Sequence, residues 1–192
     1  VTTSYLAPNI RKLNEQAISQ NLIFINEVGL DPGIDHFFSH LMVQELKSLN
    51  LNNLSINYKS YCGGIPAIPN DFKYKFSWSP VGVIKALNNP AKFIQNYEEK
   101  LVPQPYKEVT NYLINNESFE AYPNRDSLPY IEEYLFPQEW KIKEFVRGTL
   151  RLNGWTIAWK EIFDMLEKQD VNIEEQIQEK SDELWNNYRY NK

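Results

Sequence analysis

Residues 26–49 read Asn26-Glu-Val-Gly-Leu-Asp-Pro-Gly33 and then Ile34-Asp-His-Phe-Phe-Ser-His-Leu-Met-Val-Gln-Glu-Leu-Lys-Ser-Leu49. In the second part the apolar residues recur at helical spacing, at Ile34, Phe37, Phe38, Leu41, Met42, Leu46 and Leu49. This period predicts an amphipathic helix with one stripe against a core. The polar, glycine-bearing turn before it stands where unpaired backbone N–H groups attract carboxylate or phosphate. We therefore expect a binding site at the turn.

Strands and further helices are predicted on both sides of this stretch. Upstream, a polar helix is expected from Pro8 to about Gln20, and the apolar run Leu22–Asn26 predicts a buried strand. Downstream, apolar and polar residues alternate over 54–58 and again over 72–78, which is the period of half-buried strands. Ser79-Pro80 indicates a capped helix through about Leu87.

The second half of the chain favours strands first and helices last. Segment 90–117 is mixed and receives no assignment. Strands are predicted near 118–122 and 145–152, with a Pro123–Ser127 turn and a short helix at 130–135 between them, and the pattern after Gly154 is helical. The predicted fold class is α+β, with a mixed, largely antiparallel sheet covered by helices and a helical C-terminal segment.

Composition excludes several classes of function. The formal net charge is -5 and no Lys/Arg cluster could follow a phosphate backbone, so nucleic acid is not an expected partner. The single cysteine, Cys62, excludes an intrachain disulfide. Neither a secretory leader nor an apolar run of membrane-spanning length is found, so we expect a cytoplasmic protein without a membrane partner.

The glycines exclude one common cofactor motif. None of the 7 glycines makes the G-x-G-x-x-G spacing that lets a backbone approach a pyrophosphate. The chain begins at Val1 without an initiator methionine. We therefore expect a piece of a larger enzyme from which the Rossmann domain is absent.

Two polar turns could bind anions. Asp31-Pro32-Gly33 precedes the helix, although Asp31 could simply cap it. Asn124-Arg125-Asp126 presents a forked cation suited to a carboxylate, although an Arg–Asp pair holding the turn would leave the same pattern.

Strand residues and single side chains offer further candidates. Arg147, Thr149 and Arg151 share one face of a predicted strand, which indicates a surface that faces either ligand or solvent. Cys62 either faces a pocket beside Gly63-Gly64 or is a buried structural thiol. The Ser77-Trp78-Ser79 segment could contact a ligand, unless Trp78 packs in the core.

The two histidines do not predict a metal site. His36 and His40 lie one helical turn apart, but the HExxH pattern is missing and no other ligand pair is found. We expect no metal.

Five blocks taken together resemble one family. They are the turn at 26–35, Ser60-Tyr-Cys-Gly-Gly-Ile-Pro-Ala67, Tyr74-Lys-Phe-Ser-Trp-Ser79, Ala121-Tyr-Pro-Asn-Arg-Asp-Ser127 and Arg147-Gly-Thr-Leu-Arg151. In order and spacing, over roughly residues 2–155, they resemble saccharopine dehydrogenase of the glutamate-forming type. The resemblance implies that 1–154 is the second, substrate-binding domain, which also forms the dimer, and that 155–192 is the helical start of a further subdomain.

The resemblance also implies a reaction and the residues that serve it. The expected enzyme of lysine metabolism interconverts saccharopine with glutamate and 2-aminoadipate 6-semialdehyde by hydride transfer with NAD or NADP, which is bound mainly by a domain outside this chain. The implied catalytic residues are Asp31 and Tyr5. The implied substrate-binding residues are Ser4, Tyr5, Asp31, Arg125, Arg147, Gly148 and Thr149. The implied cofactor contacts are Leu30, Asp31, Pro32, Gly33, Cys62, Ser77, Trp78 and Ser79.

Departures and alternatives accompany this interpretation. The loop 67–71 is shorter than is usual in the family, and the tail from Trp155 resembles it only loosely. We expect the isolated chain to be inactive and to form a homodimer. Two other interpretations stay open, namely a related reductive-condensation enzyme such as carboxynorspermidine synthase, and a non-catalytic dimerisation or ligand-sensing module.

Overall fold

The computed structural model describes residues 1–50, 53–168 and 171–189. The chain divides into two compact units. One, here called the helical unit, consists of Val1–Leu54 and Tyr130–Trp140, and the other, the sheet unit, consists of Ser55–Pro129 and Lys141–Lys192.

Helices and strands follow one another in a mixed order. The helices are α1 (Pro8–Arg11), α2 (Asn14–Ser19), α3 (Ile34–Ser48), α4 (Pro80–Leu87), α5 (Pro129–Glu133), α6 (Trp155–Ala158), α7 (Lys160–Glu167) and α8 (Ile173–Tyr188), with a short 3-10 turn at Pro105–Lys107. The strands are β1 (Ser55–Cys62), β2 (Ala91–Gln95), β3 (Glu98–Val102), β4 (Thr110–Ile114), β5 (Glu117–Pro123) and β6 (Lys141–Leu152).

The strands form one sheet in the order β3-β2-β6-β5-β4, and β1 pairs with β6 in parallel. All the other pairs are antiparallel. The largest buried core of this unit is aromatic and includes Phe76, Trp155 and Trp159, each 0% exposed, together with apolar residues of α4, α7 and α8. The predicted fold class is therefore confirmed, and the described residues contain no doubly wound parallel sheet of the Rossmann type.

Helix α3 confirms the predicted helix but not its predicted buried face. Phe37, Phe38 and Leu41 are 74%, 61% and 55% exposed, whereas Ser39 and Val43 are buried. The face that packs carries His36 and His40, whose rings contact Tyr134. Tyr134 is almost a hundred positions away in sequence, so helical periodicity could not reveal that it selects this face.

Two predicted strands are wrong. Leu22–Asn26 forms no strand and is mostly exposed, because the described residues of the helical unit supply no strand to pair with it. Segment 72–78 is irregular, with Lys73 at a φ of 59°. Its alternation reflects packing under helices instead, since the Phe72 ring stacks on Trp159 at 4.8 Å and the Phe76 amide donates to the Tyr188 carbonyl at 2.8 Å.

Other local predictions are confirmed with adjusted bounds. The predicted helix 8–20 is divided into α1 and α2, and the unassigned segment 90–117 contains three strands. The Ser79 hydroxyl caps α4 by accepting from the Gly82 amide at 3.3 Å. The predicted functional boundary between residues 154 and 155 stays a prediction.

No helix within the described residues is both long and apolar enough to cross a membrane.

Candidate functional site

The candidate residues of the helical unit are organised around the Asp31 turn. The Tyr5 hydroxyl donates a hydrogen bond to Asp31 Oδ1. The Asp31-Pro32 peptide is cis. Asp31 does not cap α3, because the N-cap residue is Gly33. The Asp31 carboxylate therefore accepts a hydrogen bond from a phenol.

Gly33 makes the turn possible. Its φ is 146°, and a Cβ at this position would lie 2.2 Å from the Gly29 carbonyl oxygen. The Gly33 amide donates to Asp35 Oδ1 at 2.8 Å, while the Ile34 and Asp35 amides donate to the carbonyls of Gly29 and Leu30. The first amides of α3 are thus already hydrogen-bonded within the turn.

The remaining predicted residues here differ in exposure. Leu30 is 72% exposed, and Pro32 is buried. Ser4 is exposed, its hydroxyl accepts from Thr2 Oγ1 at 3.2 Å, and its carbonyl accepts from the Glu27 amide at 3.1 Å. Ser4 therefore belongs to the same hydrogen-bonded segment as Tyr5.

The candidate residues of the sheet unit lie mainly on β6. Arg147, Thr149 and Arg151 alternate along the strand and are only 9%, 7% and 8% exposed. Strand pairing places Cys62 beside Thr149 on β1 and Tyr122 beside Thr149 on β5, and paired residues project to the same side of a sheet. We call this surface the β6 face. It is buried rather than solvated.

The turn that carries Arg125 lies against the same part of β6. The Asn124 amide donates to the Arg147 carbonyl at 2.9 Å, and the Arg147 amide donates to the Ser127 hydroxyl at 2.9 Å. Arg125 is exposed, has a φ of 59°, and its carbonyl accepts from the Lys92 amide at 2.9 Å. The backbone therefore brings the two predicted carboxylate-binding arginines to neighbouring positions.

The guanidinium of Arg151 lies among aromatic rings. Its guanidinium carbon lies 4.8 Å from the ring centre of Tyr74, 5.5 Å from Trp155 and 6.0 Å from Tyr122. Its Nη2 donates weakly to the Tyr122 hydroxyl at 3.4 Å, and among the described residues its Nε has no hydrogen-bond partner. Burial raises the pKa of Tyr74, and the charge of Arg151 opposes that rise. Cation–aromatic attraction compensates this buried charge.

Glycines 63 and 148 explain why the backbone packs closely at the β6 face. A Cβ at Gly63 would lie 1.9 Å from the Leu150 carbonyl oxygen, and one at Gly148 would lie 2.5 Å from the Tyr122 carbonyl oxygen. Cys62, immediately before Gly63, is the single cysteine of the chain and has intermediate exposure. It is thus less buried than a purely structural core thiol.

The Ser77-Trp78-Ser79 segment is accessible. Trp78 is 51% exposed, so the alternative that it packs in the core is wrong. A Cβ at Gly82 would lie 2.5 Å from the Trp78 ring, which shows that the indole lies over the first turn of α4. An exposed indole held in place in this way can stack on a planar ligand.

Sequence reasoning missed two groups. Glu120 is 7% exposed and accepts from the Gly154 and Thr156 amides at 2.8 and 2.7 Å, so it anchors the start of α6. The second group is His36: in the described residues no cluster of three or more His, Cys, Asp and Glu could hold a metal. Its imidazole instead lies among Tyr130, Tyr134 and Glu27. No local signal reveals either role.

Comparison with known proteins identifies the family. Residues 29–188 match the family described as "Saccharopine dehydrogenase C-terminal domain". The chain belongs to this family. A saccharopine dehydrogenase (NADP(+), L-glutamate-forming) of Pyricularia oryzae is 39% identical over 171 residues, which cover 86% of this chain and 37% of that protein. The family resemblance inferred from the sequence is therefore confirmed.

Relatives of other kinds agree. The bovine "Alpha-aminoadipic semialdehyde synthase, mitochondrial" is 34% identical over 82% of this chain and 17% of its own length. A solved structure, apo histidine-tagged saccharopine dehydrogenase (L-Glu forming) from Saccharomyces cerevisiae, matches with a TM-score of 0.74 and 34% identity and covers 89% of this chain and 39% of that one. This member of the saccharopine dehydrogenase family thus spans 37 to 39% of the fungal proteins named here.

Proposed function

We propose that this chain is the substrate-binding and dimerisation part of an oxidoreductase of lysine metabolism that interconverts saccharopine with glutamate and 2-aminoadipate 6-semialdehyde. Membership of the saccharopine dehydrogenase family supports the enzyme class. The observation that carries the assignment to these residues is the placement of the Arg125 turn against Arg147, because it joins two cations on adjacent backbone. Saccharopine carries three carboxylates, so its site needs several cations.

The substrate-binding roles follow from the chemistry of each group. Arg125 presents an exposed guanidinium that can grip a carboxylate through two parallel hydrogen bonds. Arg147 and Thr149 offer a buried cation and a hydroxyl on the β6 face for a second carboxylate. Burial strengthens such contacts, because little water competes for them.

Proton transfer is assigned to the Tyr5–Asp31 pair. The secondary amine of saccharopine must gain or lose a proton during the reaction, and a carboxylate hydrogen-bonded to a phenol can accept one and pass it on. Ser4 lies one residue away on the same hydrogen-bonded segment and is assigned to substrate binding.

A nicotinamide cofactor would supply the hydride, with the protein contributing orientation and electrostatics. In the sheet unit, the exposed Trp78 indole and the half-buried Cys62 thiol are assigned to contacts with such a cofactor. In the helical unit, the Asp31–Gly33 turn is assigned to cofactor contacts by the family resemblance. Leu30, Ser77 and Ser79 are assigned to the same contacts. The names of the fungal relatives specify NADP(+), so we propose NADP for this enzyme. The glycine spacing that holds a pyrophosphate is missing from this sequence, so the phosphates would be bound by other residues.

Dimerisation is proposed for the sheet unit. The strand order of its sheet ends at β3 and β4, where Leu101 and Leu113 are 64% and 72% exposed. Open strand edges with apolar side chains favour pairing with another chain. Sedimentation velocity tests this, and a monomer at every concentration would contradict it.

The cytoplasmic location stays a prediction, and the name of the bovine relative places that protein in mitochondria.

The decisive experiment measures saccharopine-dependent reduction of NADP and of NAD by the longest natural polypeptide that contains this chain. Turnover with saccharopine but not with carboxynorspermidine supports the proposal. No turnover with either cofactor would favour the non-catalytic alternative.

The role of Arg125 is tested by Arg125→Lys in the same polypeptide. Lysine keeps the charge and loses the fork, so we expect the KM for saccharopine to rise about tenfold or more, with a smaller change in kcat. Arg11→Lys, at an exposed arginine of α1, is the matched control and should change neither constant. An unchanged KM in Arg125→Lys would remove Arg125 from the site.

A further inference from the structure

The helical unit contains a histidine that the proposed function does not use. We propose that His36 is a positioning residue that holds the Tyr5 ring so that its hydroxyl stays on Asp31. The inference rests on the proposed role of the Tyr5–Asp31 pair in proton transfer, and it assigns no chemistry to the imidazole itself.

The imidazole is held from one side by the segment Tyr130–Trp140. Its Nδ1 lies 2.8 Å from the Tyr134 hydroxyl, and its ring stacks on Tyr130 with centres 5.5 Å apart and an interplanar angle of 15°. The His36 side chain is only 13% exposed. A hydrogen bond and a stacked ring together fix both the position and the plane of the imidazole.

The fixed imidazole meets Tyr5. The two ring centres are 6.5 Å apart with an interplanar angle of 81°, which is the edge-to-face geometry that aromatic pairs prefer. Only two side-chain torsions place the Tyr5 hydroxyl, so the neighbour that limits the ring also limits the direction of the hydrogen bond to Asp31.

Glu27 links His36 to the backbone around Tyr5. Its Oε2 lies 4.0 Å from His36 Nε2, an atom that is buried and has no hydrogen-bond partner in the described residues. Its Oε1 accepts from the Leu6 amide at 2.9 Å, and its own amide donates to the Ser4 carbonyl at 3.1 Å. Glu27 is thus hydrogen-bonded to the residues before and after Tyr5, and its second carboxylate oxygen, Oε2, faces His36.

These contacts support positioning rather than direct catalysis. Asp35 Oδ2, at 3.9 Å from His36 Nδ1, adds a further carboxylate on the α3 side of the imidazole. The Tyr5 ring therefore packs against His36, and the backbone on either side of Tyr5 is hydrogen-bonded to Glu27. Small displacements of reacting groups are costly, because productive geometry is narrow.

The first test is structural and uses this 192-residue chain with tyrosine labelled at 13Cζ. The Tyr5 signal is assigned by its loss in Tyr5→Phe, and Asp31→Asn gives the shift expected when the hydrogen bond is broken. In His36→Asn the amide can still bond Tyr134 but the ring is lost, so we expect the Tyr5 signal to move toward its Asp31→Asn position. His36→Phe keeps the ring and should leave the signal near that of the unmodified chain.

The matched control is His40→Asn, one helical turn along α3. The His40 ring contacts Tyr134 at 5.5 Å, so the control makes the same substitution next to the same tyrosine. We expect no movement of the Tyr5 signal. An unmoved signal in a folded His36→Asn chain, or an equal movement in His40→Asn, would overturn the proposal. If His36→Asn does not fold, His36→Gln makes the same test, because it also removes the ring and keeps an amide.

The second test is kinetic and uses the longest natural polypeptide that contains this chain. For His36→Asn we expect kcat to fall about tenfold and the KM for saccharopine to stay within about twofold, because orientation and not substrate binding is lost. His36→Phe should recover most of kcat. A raised KM with unchanged kcat would overturn the proposal. If the unmodified polypeptide does not turn over saccharopine, the proposed function fails, while the 13C result still decides the role of His36.

Discussion

The two units of this protein hold their candidate residues by different means. In the sheet unit, Trp155 and Trp159 are fully buried, and the charged Arg151 is surrounded by aromatic rings. In the helical unit, Phe37 and Phe38 are 74% and 61% exposed, while Tyr5, Asp31 and His36 are linked by hydrogen bonds and ring contacts. The β6 face is therefore fixed by burial, and the Asp31 turn is fixed by local polar geometry.

This difference predicts which substitutions matter in each unit. A buried residue is stabilised by many packing contacts, and this stabilisation is lost when a large side chain is removed. A hydrogen-bonded turn depends instead on a few backbone conformations, and fails when one of them becomes inaccessible.

The largest expected effect is that of Trp159→Ala in the sheet unit. Trp159 packs against Phe72, Tyr74 and Trp155 with ring centres 4.8, 5.5 and 5.2 Å away, and its Nε1 donates to the Phe72 carbonyl at 3.1 Å. We expect the free energy of unfolding to fall by about 3–5 kcal/mol, because a cavity forms and a buried carbonyl loses its donor. Urea unfolding followed by far-UV circular dichroism measures it.

The control for Trp159→Ala is Ile157→Ala, two positions away in α6. Ile157 is 82% exposed, so its removal should change the free energy of unfolding by less than about 0.5 kcal/mol. Similar losses in the two variants would mean that burial does not stabilise this unit in the way proposed.

A smaller effect is expected from Gly33→Ala in the helical unit. The backbone there has a φ of 146° and a Cβ would lie 2.2 Å from the Gly29 carbonyl oxygen, so the turn must rearrange. We expect a local cost of about 2 kcal/mol. The amides of Ile34 and Asp35, which donate to Gly29 and Leu30, should then exchange about 30-fold faster with deuterium.

The comparison variant for Gly33→Ala is Gly64→Ala in the sheet unit. A Cβ at Gly64 would lie 3.4 Å from the Tyr74 ring, which is an ordinary contact. Exchange of its neighbouring amides should stay within about threefold of the unmodified chain, a change well below 1 kcal/mol. Unchanged exchange at Ile34 and Asp35 in Gly33→Ala would show that the turn is not fixed by this conformation.

Sequence periodicity predicted the fold where the packing partner lies nearby or where the pattern is long. The helix at 34–49 and the strand at 145–152 were predicted on this basis and are confirmed as α3 and β6. The strand expected at 72–78 failed, because its alternating aromatic residues pack against α7 and α8, far away in sequence. Alternation of apolar and polar residues indicates which side chains are buried, but a strand in a sheet is only one structure that buries them.

The candidate site was predictable in its residue types but not in its contacts. The Arg125 and Arg147 blocks were identified from their chemistry and family resemblance, and the structure adds the backbone hydrogen bonds that join them. The surroundings of His36 come from residues almost a hundred positions away, so no spacing rule could indicate them. The buried aromatic environment of Arg151 was equally invisible, since its three rings come from three separate segments.

The smallest expected effect concerns pH and the aromatic surroundings of Arg151. Burial raises the pKa of Tyr74 above the ordinary value of 10.0, despite the opposing charge of Arg151. The folded chain therefore keeps this proton at a pH where the unfolded chain loses it, so stability is fully present below about pH 10 and falls as pH rises further.

Tyr74→Phe removes this titrating hydroxyl and keeps a ring beside Arg151. We expect the decline in the free energy of unfolding between about pH 10 and 11 to become shallower, by at most about 1.4 kcal/mol per pH unit. Tyr61 and Tyr106 should retain part of the decline, because burial raises their pKa values as well. Urea unfolding at pH 7 and pH 11 separates the titration from the loss of the hydroxyl itself. An identical decline in both chains would show that Tyr74 ionises as readily when folded as when unfolded, and that the sheet unit does not protect it by burial.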